Sequence, residues 1–327
     1  MSTLSLKGPY WVTVRQYRRT LWLAAAAVVV SLAVIGGLRL WDAQTPDRWV
    51  QDGYWVPADE NRGYETLRLA VEHAGTYLLL LPLLAGAFVA GPLVAREFES
   101  GTYKLSLTQS ISPAAWLRAK LVTATTVAFL TLLALLGVFH IGWNRVSGSY
   151  GLTWSDRGQY EASGIVLFAY VLAAVAVGAL IGQLVRRTLV AMAATGLVMG
   201  VVLAVLSSLR WSFLSVTTVT GPAGPALLVP ADAYVTGSGL LTASGARFNE
   251  LICWEEVAAT PGADSAAGMW GKLEAQCQAR HGVTSQFVEF HPSSHFWPTQ
   301  LIEAGILLAL AALTLYAAFR VLRARHA

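Results

Sequence analysis

The sequence predicts an all-α membrane protein of six transmembrane helices. Both termini are expected to be cytoplasmic, with a small extracellular disulfide-stapled domain between helices five and six. Three observations carry this expectation. Six apolar stretches are each about one bilayer long, since a helix rising 1.5 Å per residue needs about 20 residues to cross about 30 Å of hydrocarbon. Charges between the stretches are sorted by sign. Hydrophobic residues make up 55% of the chain and charged ones only 13%, too few for the surface of a soluble protein of 327 residues.

The stretches are Leu21–Leu40, His73–Ala95, Leu121–Gly142, Gly164–Val185, Thr188–Leu209 and Pro298–Val321. The first is longer than the usual core of a secretory signal, and no Ala-x-Ala follows it, so it reads as a retained span. Ahead of it, residues 1–20 read as a cytoplasmic interfacial segment. Over Pro9–Thr20, Tyr10, Val14 and Tyr17 share one helical face with Leu21, and Arg15, Arg18 and Arg19 lie beside it. The pair Arg186-Arg187 separates spans four and five. One uninterrupted helix over 164–209 would reach about 69 Å and leave two arginines at mid-membrane, so a tight hairpin is expected.

Orientation follows from arginine and lysine. One set of segments holds Lys7, Arg15, Arg18 and Arg19, then Arg96, Lys104, Arg118 and Lys120, then Arg186 and Arg187, then Arg320, Arg323 and Arg325. Their only acids are Glu97 and Glu99. In the opposite loops, with Arg39 at the end of the first stretch counted among them, acids outnumber bases sixteen to ten. The positive-inside rule places the basic set in the cytoplasm. The net charge of +4 is therefore a membrane asymmetry and not a nucleic-acid footprint.

The domain plan is then 1–20 interfacial helix, 21–209 spans one to five with an elbow at 96–120, 210–297 extracellular loop domain, and 298–327 span six with a basic tail. The loop 41–72 is polar and aromatic and is expected to fold against the membrane surface. Within the long loop, Trp211–Pro230 is apolar but broken by Gly221-Pro222 and Gly224-Pro225, so it reads as a re-entrant or interfacial segment. Cys253 and Cys277 both fall there. Outside the cell a disulfide persists, and closing a loop of about 25 residues stabilises by about 3.5 kcal/mol in the chain-entropy model. A metal reading would use His281, His291 and His295, but Pro292 interrupts the last two and no metal-spaced motif is present.

Several chemistries lack their residues. There is no G-x-x-x-x-G-K-[ST], no G-x-S-x-G and no H-E-x-x-H, so the chain carries no motif for ATP hydrolysis, covalent hydrolysis or zinc proteolysis. Glu303 is the one acid well inside a span. Lying near the outer boundary, it is expected to contact water or pack helices, with proton or substrate handling as the alternative.

The most informative segment is the elbow. Span two runs into R-E-F-E-S-G-T (96–102): Arg96, Glu97, Phe98, Glu99, Gly101 and Thr102. Gly101 should end the helix, and Ser112-Pro113 should cap and start the next. Pro82, Gly86, Gly91 and Pro92 offer bending points in span two. Gly196 and Gly200 in span five suit close packing against a helix of a partner or of the same chain.

This sequence resembles the permease subunits of bacterial type-two ATP-binding-cassette (ABC) exporters. The resemblance rests on Glu97, Glu99, Gly101 and Thr102, less strictly on Pro113 and Lys120, and on H-P-S-S-H-F-W-P-T-Q-L-I-E at 291–303. Ala114-Ala115 stand where many members carry an arginine after the turn. The resemblance implies half of a translocation path, completed by a second permease copy or a paralogue. ATP and its magnesium would be bound by separate nucleotide-binding subunits, with no cofactor in this chain. The elbow would seat on those subunits, and the cell membrane would be the location. The alternative is a non-transporting membrane sensor or immunity protein whose extracellular domain binds a ligand. Nineteen arginines against four lysines accord with a GC-rich bacterial genome.

Overall fold

The computed structural model describes residues 15, 18–44, 50–51, 54–55, 61–103, 112–148, 151–262 and 268–326. Most of the expected interfacial helix Pro9–Thr20, and elbow residues 104–111, lie outside the described residues. The chain divides into two compact units: Met1–Phe213 with Trp297–Ala327, and Leu214–Phe296 inserted between them.

The first unit is helical. Its elements are α1 (Arg18–Gln44), α2 (Arg62–Leu84), a π-helical stretch (Ala85–Ala90), α3 (Gly91–Ser100), α4 (Pro113–Val146), the short α5 (Gln159–Ser163), α6 (Val166–Val185), α7 (Thr188–Leu209) and, after the insertion, α10 (Phe296–His326). A two-residue hairpin, β1 (Val50–Gln51) with β2 (Tyr54–Trp55), sits between α1 and α2. Six helical segments are long and apolar enough to cross a membrane. They coincide with the six stretches read from sequence.

One of these begins well before its apolar stretch. The second runs unbroken over Arg62–Ser100, 39 residues or about 58 Å, so part of the polar 41–72 loop is helix. Asn61 starts it by accepting from the Tyr64 amide at 2.9 Å. The third starts at Pro113, with the Ser112 hydroxyl accepting from the Ala115 amide at 3.2 Å, as its Ser-Pro signature requires. Arg186 turns the hairpin between α6 and α7 with φ 55°, and both arginines of the pair are exposed.

The spans differ sharply in burial: 78% of the apolar window of α6 is buried, against 6% for α1. Gly178 and Gly182 let α6 approach the Gly91 backbone closely, whereas Trp22, Leu23, Val29 and Val30 of α1 are exposed. Two apolar clusters hold the bundle. One gathers Ile35, Leu67, Phe139 and Leu167; the other gathers Leu93, Trp116, Ala179 and Leu322 at the basic end. Asp42, at the end of α1, accepts from Arg145 at 3.0 Å and from Arg39 at 2.7 Å, tying α1 to α4.

The inserted unit corrects the all-α expectation. It is a four-stranded antiparallel sheet in the order β3-β6-β4-β5, built from β3 (Thr217–Pro222), β4 (Tyr234–Thr242), β5 (Arg247–Phe248) and β6 (Val283–His291), with helices α8 (Leu251–Ala258) and α9 (Met269–Arg280). Threonine, valine and aromatic residues dominate these strands, types that suit a pleated, half-buried surface. β3 lies in the segment expected to be re-entrant. It is an edge strand paired only with β6, from Thr217 opposite Phe290 to Pro222 opposite Ser285. An edge tolerates the terminal proline because one side of the strand needs no donor. Phe287 and Phe290 of the central β6 are buried, and Gly239 across from Phe287 leaves room for its ring.

Cys253 of α8 and Cys277 of α9 form the expected disulfide, with Cα atoms 5.6 Å apart. Replacing Cys253 with serine should cost the inserted unit about 2–5 kcal/mol. Limited proteolysis of the intact protein is expected to cut between α8 and α9 under conditions in which the parent resists.

Candidate functional site

The elbow is built from three helix ends. α3 stops at Gly101, whose φ of 71° is left-handed and strained for any side chain. Glu97 and Glu99, two positions apart, lie about 200° apart around the helix, so they face different neighbours. The Glu97 carboxylate accepts from Lys120 Nζ at 2.5 Å and from Trp116 Nε1 at 3.0 Å, both on α4. Lys120 is almost fully buried, so this is a desolvated ion pair.

Glu99 turns the other way. It accepts from the Thr188 amide at 2.9 Å and from the Thr188 hydroxyl at 2.5 Å, at the first turn of α7. Arg187, the residue at the N-cap of α7, contributes no side-chain cap. Glu99 supplies the missing acceptor from another helix, and its charge sits at the positive end of the α7 dipole. Between the two glutamates, the Phe98 ring packs on Tyr103 at 4.7 Å and edge-on to Trp116 at 6.1 Å, with the Arg186 guanidinium 5.8 Å away. Arg96 and Thr102 remain exposed beside this cluster. The sequence-predicted elbow residues are therefore brought together, and they join α3 to α4 and α7.

Above the elbow the second span changes its winding. Pro92 has no N–H to return to the Phe88 carbonyl, and the preceding turn closes as a π-helix in which the Gly91 amide bonds to the Gly86 carbonyl. α6 crosses here at backbone contact. A Cβ on Gly182 would lie 2.8 Å from the Gly91 carbonyl oxygen, and one on Gly178 would lie 2.9 Å from the Gly91 nitrogen. Gly196 and Gly200 of α7 face Ala87 and Leu83, so these two glycines pack within the chain.

At the opposite end of the bundle lies a charge cluster. Glu303 of α10 is fully buried, so of the two roles expected for it, water contact or helix packing, it has the second. It accepts from Arg210 Nε at 2.9 Å, from Arg210 Nη2 at 3.0 Å and from the Tyr170 hydroxyl at 2.7 Å. Arg210 Nη2 also donates to Glu161 at 2.6 Å, and the guanidinium stacks 3.9 Å from the Tyr160 ring centroid. Glu161 is held in turn by the Gly158 amide at 3.0 Å. Gly158 has φ 87° and lies against the Gly75 backbone, where a Cβ would not fit. Beside it, Gln300 bridges the Val166 amide and the Tyr160 carbonyl at 3.0 and 2.7 Å.

Sequence reasoning named Glu303 but counted Arg210 and Glu161 only as loop charges. The signal was available: an acid inside a span needs a cation, and Arg210 directly ends the preceding span. The arrangement has no nucleophile–base pair. What it does is lock α5, α6, α7 and α10 together.

In the inserted unit, His291 and His295 stand with Nδ1 atoms 3.0 Å apart, closer than the Pro292 break suggested. The one cluster of three ligand-type side chains among the described residues is Glu256, Cys277 and His281. Cys277 is spent in the disulfide, so the thiolate that a metal would need is missing.

The family model for ABC-2 membrane transporter related proteins matches residues 23–210, more than half of the chain, from within α1 to the end of α7. No curated protein matches.

Truncating Arg210 to methionine should leave two buried carboxylates without their cation and destabilise the bundle by about 3–5 kcal/mol. Thermal unfolding in detergent checks this; Tyr170→Phe, which removes one neutral donor, should cost about 1–3 kcal/mol. Placing valine at Gly182 should cost about 1–3 kcal/mol by overpacking against Gly91, read in the same assay.

Proposed function

Because this chain belongs to the ABC-2 membrane transporter related family, we infer that it is the permease subunit of an ATP-driven exporter. It is a multi-pass membrane protein with six membrane-capable helices. In this reading it forms half of a translocation path, completed by a second permease copy or a paralogue, with the basic end in the cytoplasm and the inserted unit outside. ATP is bound and hydrolysed by separate subunits, and the solute carried is apolar or amphipathic.

One observation supports the coupling route above others. Glu97 and Glu99 of one helix end grip two different spans, α4 through Lys120 and α7 through Thr188. A push on the exposed Arg96–Thr102 surface is thus delivered to α3, α4 and α7 together. The π-helical stretch lies just beyond, where α2 and α3 meet, and can absorb the resulting change of axis. Coupling requires two arrangements of the spans that differ in their elbow contacts.

Two variants separate docking from transmission. Thr102→Trp adds bulk to the exposed surface and should abolish copurification of a nucleotide-binding subunit from native membranes. Glu99→Ala leaves that surface in place but frees α7, so the complex should be recovered while transport per ATP hydrolysed falls by roughly tenfold, about the effect of 1.4 kcal/mol of lost coupling. Recovery of the chain from native membranes with no ATPase partner in either form would remove the proposed function.

A further inference from the structure

The inserted unit gathers four metal-ligating residues at one point. α8 carries Cys253 and Glu256, three positions apart, and α9 leads from Cys277 to His281, four positions on. Each pair lies on one helix face, one turn apart. His281 keeps that register because its amide still donates to the Cys277 carbonyl at 3.0 Å. Ligand atoms of Glu256, Cys277 and His281 all lie within 4.8 Å of one another, and Cys253 is bonded to Cys277. Both cysteines are fully buried, whereas Glu256 is half-buried and His281 exposed. The sulfurs thus form the floor of a site that opens toward solvent.

The disulfide alone does not account for the Glu256 carboxylate. Its Oε2 sits 3.3 Å from Cys277 Sγ, and a sulfur within a disulfide has no hydrogen to share. Its other oxygen pairs with Arg280, but that pair is largely exposed and contributes little. A tetrahedral zinc ion holds a thiolate sulfur about 3.5 Å from a carboxylate oxygen, and two sulfurs about 3.8 Å apart. The glutamate already stands near the first spacing. Rotation of the two cysteine side chains supplies the second once the S–S bond is open.

We propose that the inserted unit, when reduced, binds one zinc ion through Cys253, Glu256, Cys277 and His281. The disulfide and the metal site are alternative states of the same residues. A dithiol reductant donates two electrons and two protons to the Cys253–Cys277 bond. The S–S bond breaks, two thiols form, and the reductant leaves as its own disulfide. Zinc then displaces both thiol protons to solvent and takes the Glu256 carboxylate and a neutral ring nitrogen of His281. Two thiolates, a carboxylate and an imidazole make a closed four-coordinate set, which suits a structural ion with no open catalytic position. In either state α8 and α9 stay cross-linked, by the S–S bond or by the metal. The inference does not depend on the permease reading.

The full-length chain in detergent, without a histidine tag and reduced by a phosphine so that no added thiol competes, tests this with cobalt and zinc. The reduced chain should take up one cobalt ion and show the thiolate charge-transfer and d–d bands of a tetrahedral site, and zinc should displace it. The disulfide form should show none of these bands. Glu256→Ala and His281→Ala should each weaken binding by roughly hundredfold. Arg280→Ala, which frees Glu256, should bind at least as tightly as the parent. Reduction alone should open the chain to protease between α8 and α9, and zinc should close it again and shield both cysteines from alkylation. No uptake by the reduced chain, the same bands in the disulfide form, or unchanged affinity in either ligand variant would overturn the proposal. Should reduction unfold the inserted unit, zinc must restore protease resistance, and uptake without that recovery would overturn it as well.

Discussion

A charge inside the hydrocarbon must be neutralised where it stands, because water cannot reach it and the cost of leaving it alone is several kcal/mol. That constraint organises both ends of this bundle. At the acid-rich end, Arg210 satisfies Glu161 and Glu303 at once and draws in Tyr170, so helices remote in sequence share one hydrogen-bonded knot. At the basic end, Lys120 is buried on α4 and meets Glu97 of α3. Neither pairing is a surface decoration. Each is short, desolvated and made between different helices, which is the geometry in which removing one partner is most damaging.

Between these two knots the bundle is held by shape. Lipid tails are as apolar as leucine, so helices do not associate in a membrane simply to hide hydrophobic surface. They associate where backbones come close, and here that place is the crossing of α6 with the π-helical turn of the second span. Gly178 and Gly182 bring α6 against Gly91, and Gly86 meets Ala174 and Thr195. The same crossing contains the proline that disrupts the helical ladder. Tight packing and irregular winding therefore coincide. The π-turn is tolerated because neighbouring helices surround it and its backbone groups are satisfied within the protein.

Much of this was legible from the chain. Six spans, the Arg186-Arg187 hairpin, the Gly101 stop, the Ser112-Pro113 start and the Cys253–Cys277 bridge all rest on local rules of length, charge and capping, and all five features are present. What was missed depended on distant partners. The sheet of the inserted unit was not read because its edge strand, Thr217–Pro222, is short, lies within the largely apolar stretch Trp211–Pro230 and ends in Gly221-Pro222, which resembles a segment lying in an interface. Arg210 and Glu161 lie 49 residues apart, and no periodicity links them. The destinations of Glu97 and Glu99 were likewise hidden, although their two-residue spacing already required them to face different ways.

Those destinations change what the elbow glutamates can be. Acids on an inner loop suggest a surface that pairs with a partner's cations, but here both carboxylates are occupied by their own chain. A lever needs this arrangement. Had Glu97 and Glu99 bound only the partner, force would enter at α3 and dissipate in its own bending. With Glu97 fixed to α4 and Glu99 to the start of α7, the helix ends are cross-linked, while Arg96, Ser100 and Thr102 stay exposed as the surface that the proposed docking would use. Stiffness at the elbow and compliance at the π-turn are complementary. In the proposed coupling, a rigid handle beside a yielding stretch of helix would send displacement into the spans, and the Arg210 knot at the far end would set the point against which they pivot.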